Sequence, residues 1–203
     1  MNDTELERYS RHILLNEFDI VSQEKLSSAT ALMIGCGGLA NACAPILASA
    51  GLGHIIVCDG DTIELSNLQR QFAFTEADIG KHKAEVLKTY LQARNSQIQI
   101  SSIHQFVDET FLHDCLPQCD VIIDCSDNSR TRHLINRLAV QHRIPLISAS
   151  VIQFSGQLAV FDSRNQQSPC YACLFPQEIQ QENTCTKNGV YAPLVHIIGA
   201  AQA

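Results

Sequence analysis

A short apolar segment that runs into three closely spaced glycines constrains the fold of this chain most. Residues 29–35 read "ATALMIG" and predict a buried strand. Residues 38–51 read "GLANACAPILASAG" and predict a helix that Gly51 ends. A second apolar strand, "HIIVCD", follows at 54–59. Together these segments predict a βαβ unit.

The alternation of strand and helix continues through the rest of the chain. Further helices are predicted at 81–94, 108–116 and 129–142, and further strands at 97–103, 120–126, "PLISASV" and "GQLAVFD". Near-continuous apolar strands separated by helices favour a mostly parallel sheet covered on both faces. The predicted fold class is therefore α/β, with a Rossmann-like doubly wound sheet. Residues 5–15, "ELERYSRHILL", predict an extra amphipathic N-terminal helix outside the βαβ units.

Length and composition limit the domain count and the class of partner. With 203 residues, 45% of them apolar, the chain supports one α/β domain but hardly two, so we expect a single domain over 1–203. The net charge of −7 provides no diffuse field for nucleic acid or an anionic membrane. The nine cysteines lie mostly in apolar runs and no signal peptide precedes them, which favours reduced thiols in the cytoplasm. The longest apolar stretch, 190–201, is too short to span a membrane.

The junction after the first strand matches a nucleotide-binding fingerprint. Gly35, Gly37, Gly38 and Ala40 fit the pattern G-x-G-x-x-G/A, which brings phosphate close to backbone N–H groups at a helix N-terminus. Asp59 follows at the end of the second strand, where an acid would bind a ribose hydroxyl. The pattern predicts nucleotide binding, with a merely tight turn as the alternative. Because nicotinamide dehydrogenases share it, an NAD-dependent oxidoreductase stays open.

Polar residues elsewhere in the chain are expected at the same crevice. Arg70 and Gln71 follow the second strand, Lys83 opens a helix, and Asp127 and Asn128 follow a later strand. Ligands of open α/β sheets bind at the carboxyl ends of the strands, so these groups converge there. Arginine and lysine suit phosphate, and a carboxylate suits hydrated magnesium. A nucleoside triphosphate needs this combination, and dehydrogenation does not. The alternatives are a surface salt bridge for Arg70, a solvated Lys83 and a helix cap for Asp127.

Six linked motifs carry a family resemblance that runs from about residue 5 to the end. They are "RYSRHILL", "GCGGLA", "DGDTIELSNLQRQ", "GKHKAEVL", "DCSDN" and "GVYAPLVHIIGAAQA". Together they resemble the MoeB/ThiF/HesA family, bacterial relatives of ubiquitin-activating enzymes. The resemblance implies a homodimer that uses ATP and magnesium to adenylate the C-terminal glycine carboxylate of a small ubiquitin-like sulfur-carrier protein, in molybdopterin or thiamine biosynthesis. Pyrophosphate would be released. A non-catalytic nucleotide-binding or scaffold member of the family is the alternative.

The resemblance also implies roles for individual residues. Gly38 would approach the phosphates, Asp59 the ribose, and Asp127 would hold magnesium. The residues it places at the triphosphate are Asn67, Arg70 and Lys83. The others that it implies for the nucleotide site are Gly35, Gly37, Ser66, Gln69, Gln71 and Asn128. Arg11 would reach the site from the other subunit, which gives the extra N-terminal helix a purpose.

The cysteines and the chain end lead to three further expectations. Cys170 and Cys173 in "CYAC" form half of a zinc site, and the family carries the second pair further downstream, so zinc is expected only where that pair is present. Cys185 occupies the place of a family loop cysteine that in some members forms a covalent link during sulfur transfer; a thiol without function is the alternative. The final apolar helix stops without a capping signal, so we expect a truncated C-terminus.

Overall fold

A six-stranded sheet forms the centre of the fold. The computed structural model describes residues 1–165, 167–176 and 189–203. The strands are β1 (Thr30–Ile34), β2 (His54–Cys58), β3 (Gln99–Ile103), β4 (Val121–Asp124), β5 (Leu146–Ile152) and β6 (Ser155–Phe161). Their order is β3-β2-β1-β4-β5-β6; β1 to β5 are parallel and β6 pairs antiparallel with β5. This order confirms the predicted Rossmann-like, mostly parallel sheet.

Helices cover both faces of this sheet. They are α1 (Asp3–Arg8), α2 (Ser10–Ile13), α3 (Ile20–Ser28), α4 (Gly38–Ala50), α5 (Lys83–Arg94), α6 (Glu109–Cys115), α7 (Ser129–His142), α8 (Tyr171–Leu174) and α9 (Ala192–Gln202). Short 3₁₀ helices occur at Leu65–Asn67, Glu76–Asp78 and Leu116–Gln118. Within the described part of the chain, no helix has the length and apolar character of a membrane span.

The central strands are apolar along their whole length because both of their faces are buried. In β1, Ala31 and Met33 belong to one core cluster, which includes side chains of α4, α5 and α9. Leu32 and Ile34 belong to a second cluster, with α6, α7 and α8. Successive strand residues point to opposite faces, so one apolar run supplies both clusters. Full burial of each such Leu or Ile side chain contributes about 1.5–3 kcal/mol to the stability of the folded state.

The N-terminal segment differs from the single helix predicted over 5–15. Two short helices, α1 and α2, meet at Tyr9, where φ −99° and ψ 10° depart from helical values. Tyr9 is buried: its ring packs against Gly51, and its hydroxyl accepts a hydrogen bond of 2.9 Å from Asn95 Nδ2. The chain bends where this aromatic side chain docks at the end of α4. The sequence prediction also missed α3, whose N-cap Asp19 accepts a hydrogen bond from Ser22 N.

Helix α9 packs closely across α4. A Cβ atom on Gly199 would lie 2.6 Å from the carbonyl oxygen of Leu39, so only glycine allows this approach. At the other end of α9, Gln202 is buried, and its Nε2 donates hydrogen bonds to Asp124 O (2.9 Å) and Ile147 O (3.2 Å). Helix α9 is thereby fixed to both α4 and the sheet.

Candidate active site

A cleft of about 600 Å³ lies at the carboxyl ends of the central parallel strands. Ten residues predicted from the sequence line it: Gly35, Gly37, Gly38, Asp59, Asn67, Arg70, Gln71, Lys83, Asp127 and Asn128. They come from loops after β1, β2 and β4 and from the start of α5. The parallel sheet brings these loops to one edge, as expected for this class of fold.

The glycine turn between β1 and α4 has little room for side chains. Gly35 has φ +89°, and a Cβ atom there would lie 2.8 Å from the carbonyl oxygen of Cys125. A Cβ atom on Gly38 would lie 2.7 Å from Val195 Cγ1 of α9. Gly37 is the N-cap of α4, a helix of 13 residues. The N-terminus of such a helix carries a partial positive charge, which favours bound phosphate.

Asp59 is tied to this turn by two backbone hydrogen bonds. Its Oδ2 accepts from Cys36 N at 2.6 Å and its Oδ1 accepts from Asp61 N at 2.7 Å. Burial raises the pKa of Asp59, and the two backbone hydrogen bonds oppose that shift. Because a carboxylate can accept about four hydrogen bonds, the side chain keeps capacity for ribose hydroxyls.

Lys83 is buried and paired, so the alternative of a solvated lysine is wrong. The residue is only 7% exposed, and its Nζ lies 2.9 Å from Asp61 Oδ2. Asp61 also lines the cleft, although the sequence analysis did not select it. The pair fixes a cation at the start of α5, beside the loop that follows β2.

Arg70 forms no ion pair with a carboxylate anywhere in the described parts of the chain, so the salt-bridge alternative finds no support. Its Nη1 donates a 3.0 Å hydrogen bond to the carbonyl oxygen of Ser66. Its carbonyl oxygen accepts a 3.1 Å hydrogen bond from His196 Nε2 of α9. The side-chain stem passes beside Gly38, since a Cβ atom there would lie 3.4 Å from Arg70 Cγ. The stem of Arg70 therefore lies next to the glycine turn, and the guanidinium carries no carboxylate partner among the described residues.

Asn67 and Gln71 are buried in the same loop. Asn67 Oδ1 accepts a hydrogen bond of 3.1 Å from Glu64 N. Gln71 Oε1 has no hydrogen-bond partner among the described residues, and such a buried unpaired group costs about 1–3 kcal/mol. A ligand with a hydrogen-bond donor would remove that cost. Ser66 and Gln69 are exposed and are not among the residues that line the cleft.

Asn128, not Asp127, caps α7. Asn128 Oδ1 accepts a 2.9 Å hydrogen bond from Thr131 N, so the capping alternative for Asp127 is wrong. The Asp127 carboxylate is exposed, and its contact with Asn128 Nδ2 is long, at 3.5 Å. The preceding residue is held firmly: Ser126 N and Oγ both donate to Oδ1 of the buried Asp124. Asp127 thus presents a free carboxylate, a preferred ligand of magnesium, from an anchored loop.

Arg11, Cys170 and Cys173 are not among the residues that line the cleft in the described parts of the chain. Arg11 is exposed on α2 and is not among the described residues that line the cleft. Cys170 and Cys173 have their Sγ atoms 3.6 Å apart, at the start of α8. Among the described residues no group of three or more metal-binding side chains occurs, so the expectation of a zinc site at these two thiols stays a prediction. Cys185 lies outside the described residues.

Sequence reasoning missed several residues that line the cleft. Gln105, Phe106 and Val107 follow β3, and the rule that ligands bind at the carboxyl ends of strands would have found them. Arg132 lies one helical turn after Asn128, a spacing that places both on one side of α7. Val195 of α9 could not have been found in this way, because nothing in its local pattern indicates that α9 packs on the glycine turn.

Comparisons with known proteins identify the family of this chain. A family model described as "ThiF family" matches residues 9–203. This chain belongs to the ThiF family. It is 41% identical over 203 residues to the sulfur carrier protein ThiS adenylyltransferase of Escherichia coli K12, covering 100% of this chain and 80% of that protein. It is 43% identical over 206 residues to the adenylyltransferase and sulfurtransferase MOCS3 of Anopheles gambiae, covering 100% of this chain.

The chain spans 46% of the length of that MOCS3 protein, and about as much of two other MOCS3 relatives. Among solved structures, E. coli MccB with ATP superposes with a TM-score of 0.80 and is 33% identical, covering 98% of this chain and 61% of MccB. These matches confirm the predicted family. The relatives are adenylyltransferases by name, which agrees with the enzyme class predicted from the motifs.

Proposed function

We propose that this chain transfers AMP from ATP to the C-terminal carboxylate of a sulfur-carrier protein. The observation that carries the proposal is the convergence of Arg70, Lys83 and Asp127 on one cleft with the glycine turn. The first two supply positive charge and the third a free carboxylate, the combination that a triphosphate with magnesium requires. The names of the ThiF relatives support a carrier protein as the second substrate.

The proposed reaction needs no general base. A carboxylate oxygen of the carrier forms a bond to the α-phosphorus of ATP, and the bond from that phosphorus to the bridging oxygen breaks. Pyrophosphate leaves with the electron pair, and no proton moves. Arg70 and Lys83 would neutralise charge on the phosphoryl oxygens, and the ordered loops would align the reactants. This accounts for a cleft whose charged side chains bind phosphate rather than remove protons.

Asp127 would hold the magnesium ion, which balances phosphate charge when bound. Its carboxylate is exposed in the cleft and no cation pairs with it among the described residues. Zinc is proposed only for a protein in which a second cysteine pair completes the half site of Cys170 and Cys173. We further propose a homodimer, in which the exposed Arg11 enters the cleft of the partner subunit, and a cytoplasmic location.

Adenylation of a purified carrier tests the proposal. We expect the E. coli ThiS carrier, incubated with this protein, ATP and magnesium, to gain the mass of AMP while pyrophosphate is released. A ThiS variant without its last glycine is the matched control, and it should gain no mass. Binding of ATP without any adenylated carrier, with ThiS and with molybdopterin-synthase carriers alike, would identify a non-catalytic nucleotide-binding protein instead.

A further inference from the structure

Among the described residues, three Lys and Arg side chains line the cleft, and one of them pairs with a carboxylate. Lys83 pairs with Asp61 at 2.9 Å. Arg70 and Arg132 form no ion pair with any carboxylate in the described residues. A partly buried charge without a counter-ion is costly, so each guanidinium favours binding of an anion.

Arg132 is held in place by carbonyl oxygens. It lies in the first turn of α7, and its Nη2 donates hydrogen bonds to Ser126 O (2.5 Å) and to Ala149 O of β5 (3.2 Å). Its Nε is buried without a partner, and its Nη1 donates to no described residue. The two carbonyl contacts fix the position of the guanidinium but leave its full positive charge. Arg132 is therefore a preorganised cation with a donor still free.

The two unpaired guanidinium groups occupy different parts of the cleft. Arg70 lies beside Gly38, at the phosphate turn. Arg132 lies where the cleft meets a second cavity of about 350 Å³, which borders β5, β6 and α8. The residues shared by the two cavities are Arg132, Ser150, Gln157, Tyr171 and Phe175. Arg132 thus lies at the boundary between the second cavity and the cleft.

The proposed reaction brings together two anions, the triphosphate and the carrier carboxylate. In-line displacement requires the carboxylate to approach the α-phosphorus from the side opposite the leaving pyrophosphate. We infer that Arg132 binds the incoming carboxylate of the carrier and that the second cavity admits the chain that precedes it. This inference rests on the proposed function. A contact from Nη1 to one carboxylate oxygen leaves the other oxygen free to attack.

A charge-exchange experiment tests this assignment. Dissociation constants are measured in the presence of a non-hydrolysable ATP analogue for ThiS with its free C-terminal carboxylate and for ThiS with a C-terminal amide. Wild-type protein should bind the free acid at least about tenfold more tightly, as expected for a charge-assisted hydrogen bond. In Arg132→Gln that preference should disappear, while the affinity for the ATP analogue stays within about twofold.

Two further variants complete the design. Arg130→Gln removes an exposed arginine from the same helix and should keep the full preference for the acid. Arg132→Lys retains the charge on a shorter side chain, should keep a reduced preference, and provides the test if Arg132→Gln does not fold. An unchanged preference in the Arg132 variants, or none in wild type, overturns the inference. If wild type neither binds nor adenylates ThiS or the molybdopterin-synthase carriers, the proposed function has failed, and the inference fails with it.

Discussion

The ammonium group of Lys83 lies 2.9 Å from Oδ2 of Asp61, although 22 residues separate them in the chain. The pair joins the start of α5 to the loop after β2 inside the nucleotide cleft. Lys83 is buried, so its position is fixed before a ligand arrives. A cation that is already ordered stabilises developing phosphate charge without the cost of reorganisation.

Loss of either of the two cations proposed to bind phosphate should therefore slow the proposed reaction severely. We expect Lys83→Ala and Arg70→Ala each to reduce acyl-adenylate formation about 10²–10³-fold, measured as carrier-dependent exchange of pyrophosphate into ATP. Lys81→Ala is the matched control, because Lys81 is exposed and pairs with Asp78 at 2.8 Å on the surface. Near wild-type exchange in both test variants would contradict the assignment.

The capping geometry of α7 separates the roles of Asp127 and Asn128. Asp127→Asn removes the carboxylate proposed to hold magnesium, so activity should fall sharply and require more magnesium. The free energy of unfolding should stay within about 0.5 kcal/mol of wild type, because Asp127 is not the cap.

Asn128→Ala provides the complementary result. It removes the acceptor of the 2.9 Å bond from Thr131 N and should lower the free energy of unfolding by about 1 kcal/mol in urea titrations. A magnesium titration that is the same for Asp127→Asn and wild type would show that Asp127 does not bind the ion.

Two glycines with similar positive φ angles predict different sensitivities to alanine. Gly35 (φ +89°) and Gly80 (φ +86°) both adopt left-handed values, but only Gly35 has backbone atoms where a Cβ would lie, with Cys125 O at 2.8 Å. Gly80→Ala should cost about 1 kcal/mol of unfolding free energy from backbone strain alone. Gly35→Ala should cost clearly more and weaken ATP binding. If urea titrations show equal losses of unfolding free energy for the two variants, the backbone around Cys125 moves to accommodate the added Cβ without cost.

Arg11 gives a test of the proposed dimer. If it completes the partner's site, mixing inactive Arg11→Ala with inactive Asp127→Asn subunits creates heterodimers with one intact site. Random assortment would then restore up to about a quarter of wild-type activity, provided that the two sites act independently. The measurement is pyrophosphate exchange after subunit mixing.

Sedimentation of the mixture serves as the control for this experiment, because it shows whether dimers form and exchange. If dimers form and exchange but no activity is recovered, Arg11 acts in its own subunit or has no role in the reaction. Sedimentation as a monomer at every concentration would contradict the dimer itself.

Local sequence patterns were sufficient for the sheet, for the glycine turn, and for Asp59, Arg70, Gln71, Lys83, Asp127 and Asn128 in the cleft. The strands were predictable because runs such as Ala31–Ile34 are buried on both faces, and the loops that follow them meet at one edge. The pairing of Lys83 with Asp61 could not be predicted, because several acidic residues lie in the same loop and only the folded geometry selects one of them. Asp127 and Asn128 are both good capping residues, so sequence could not decide between them.

The prediction for the N-terminal segment was wrong for a different reason. The pattern in residues 5–15 suits one helix, but Tyr9 docks against Gly51 and Asn95, and this tertiary contact coincides with the break between α1 and α2. Arg132 was passed over because its contacts are with the carbonyl oxygens of Ser126 and Ala149, which a sequence does not display.

The packing of α9 on the glycine turn has a consequence for how the protein is made. The turn at 35–38 leaves the ribosome before Val195 and His196, which contact Gly38 and Arg70 and are added about 150 residues later. While the intervening residues are being added, the nascent chain carries the fingerprint without the helix that packs against it. The proposed ATP site therefore becomes complete only after α9 has left the exit tunnel.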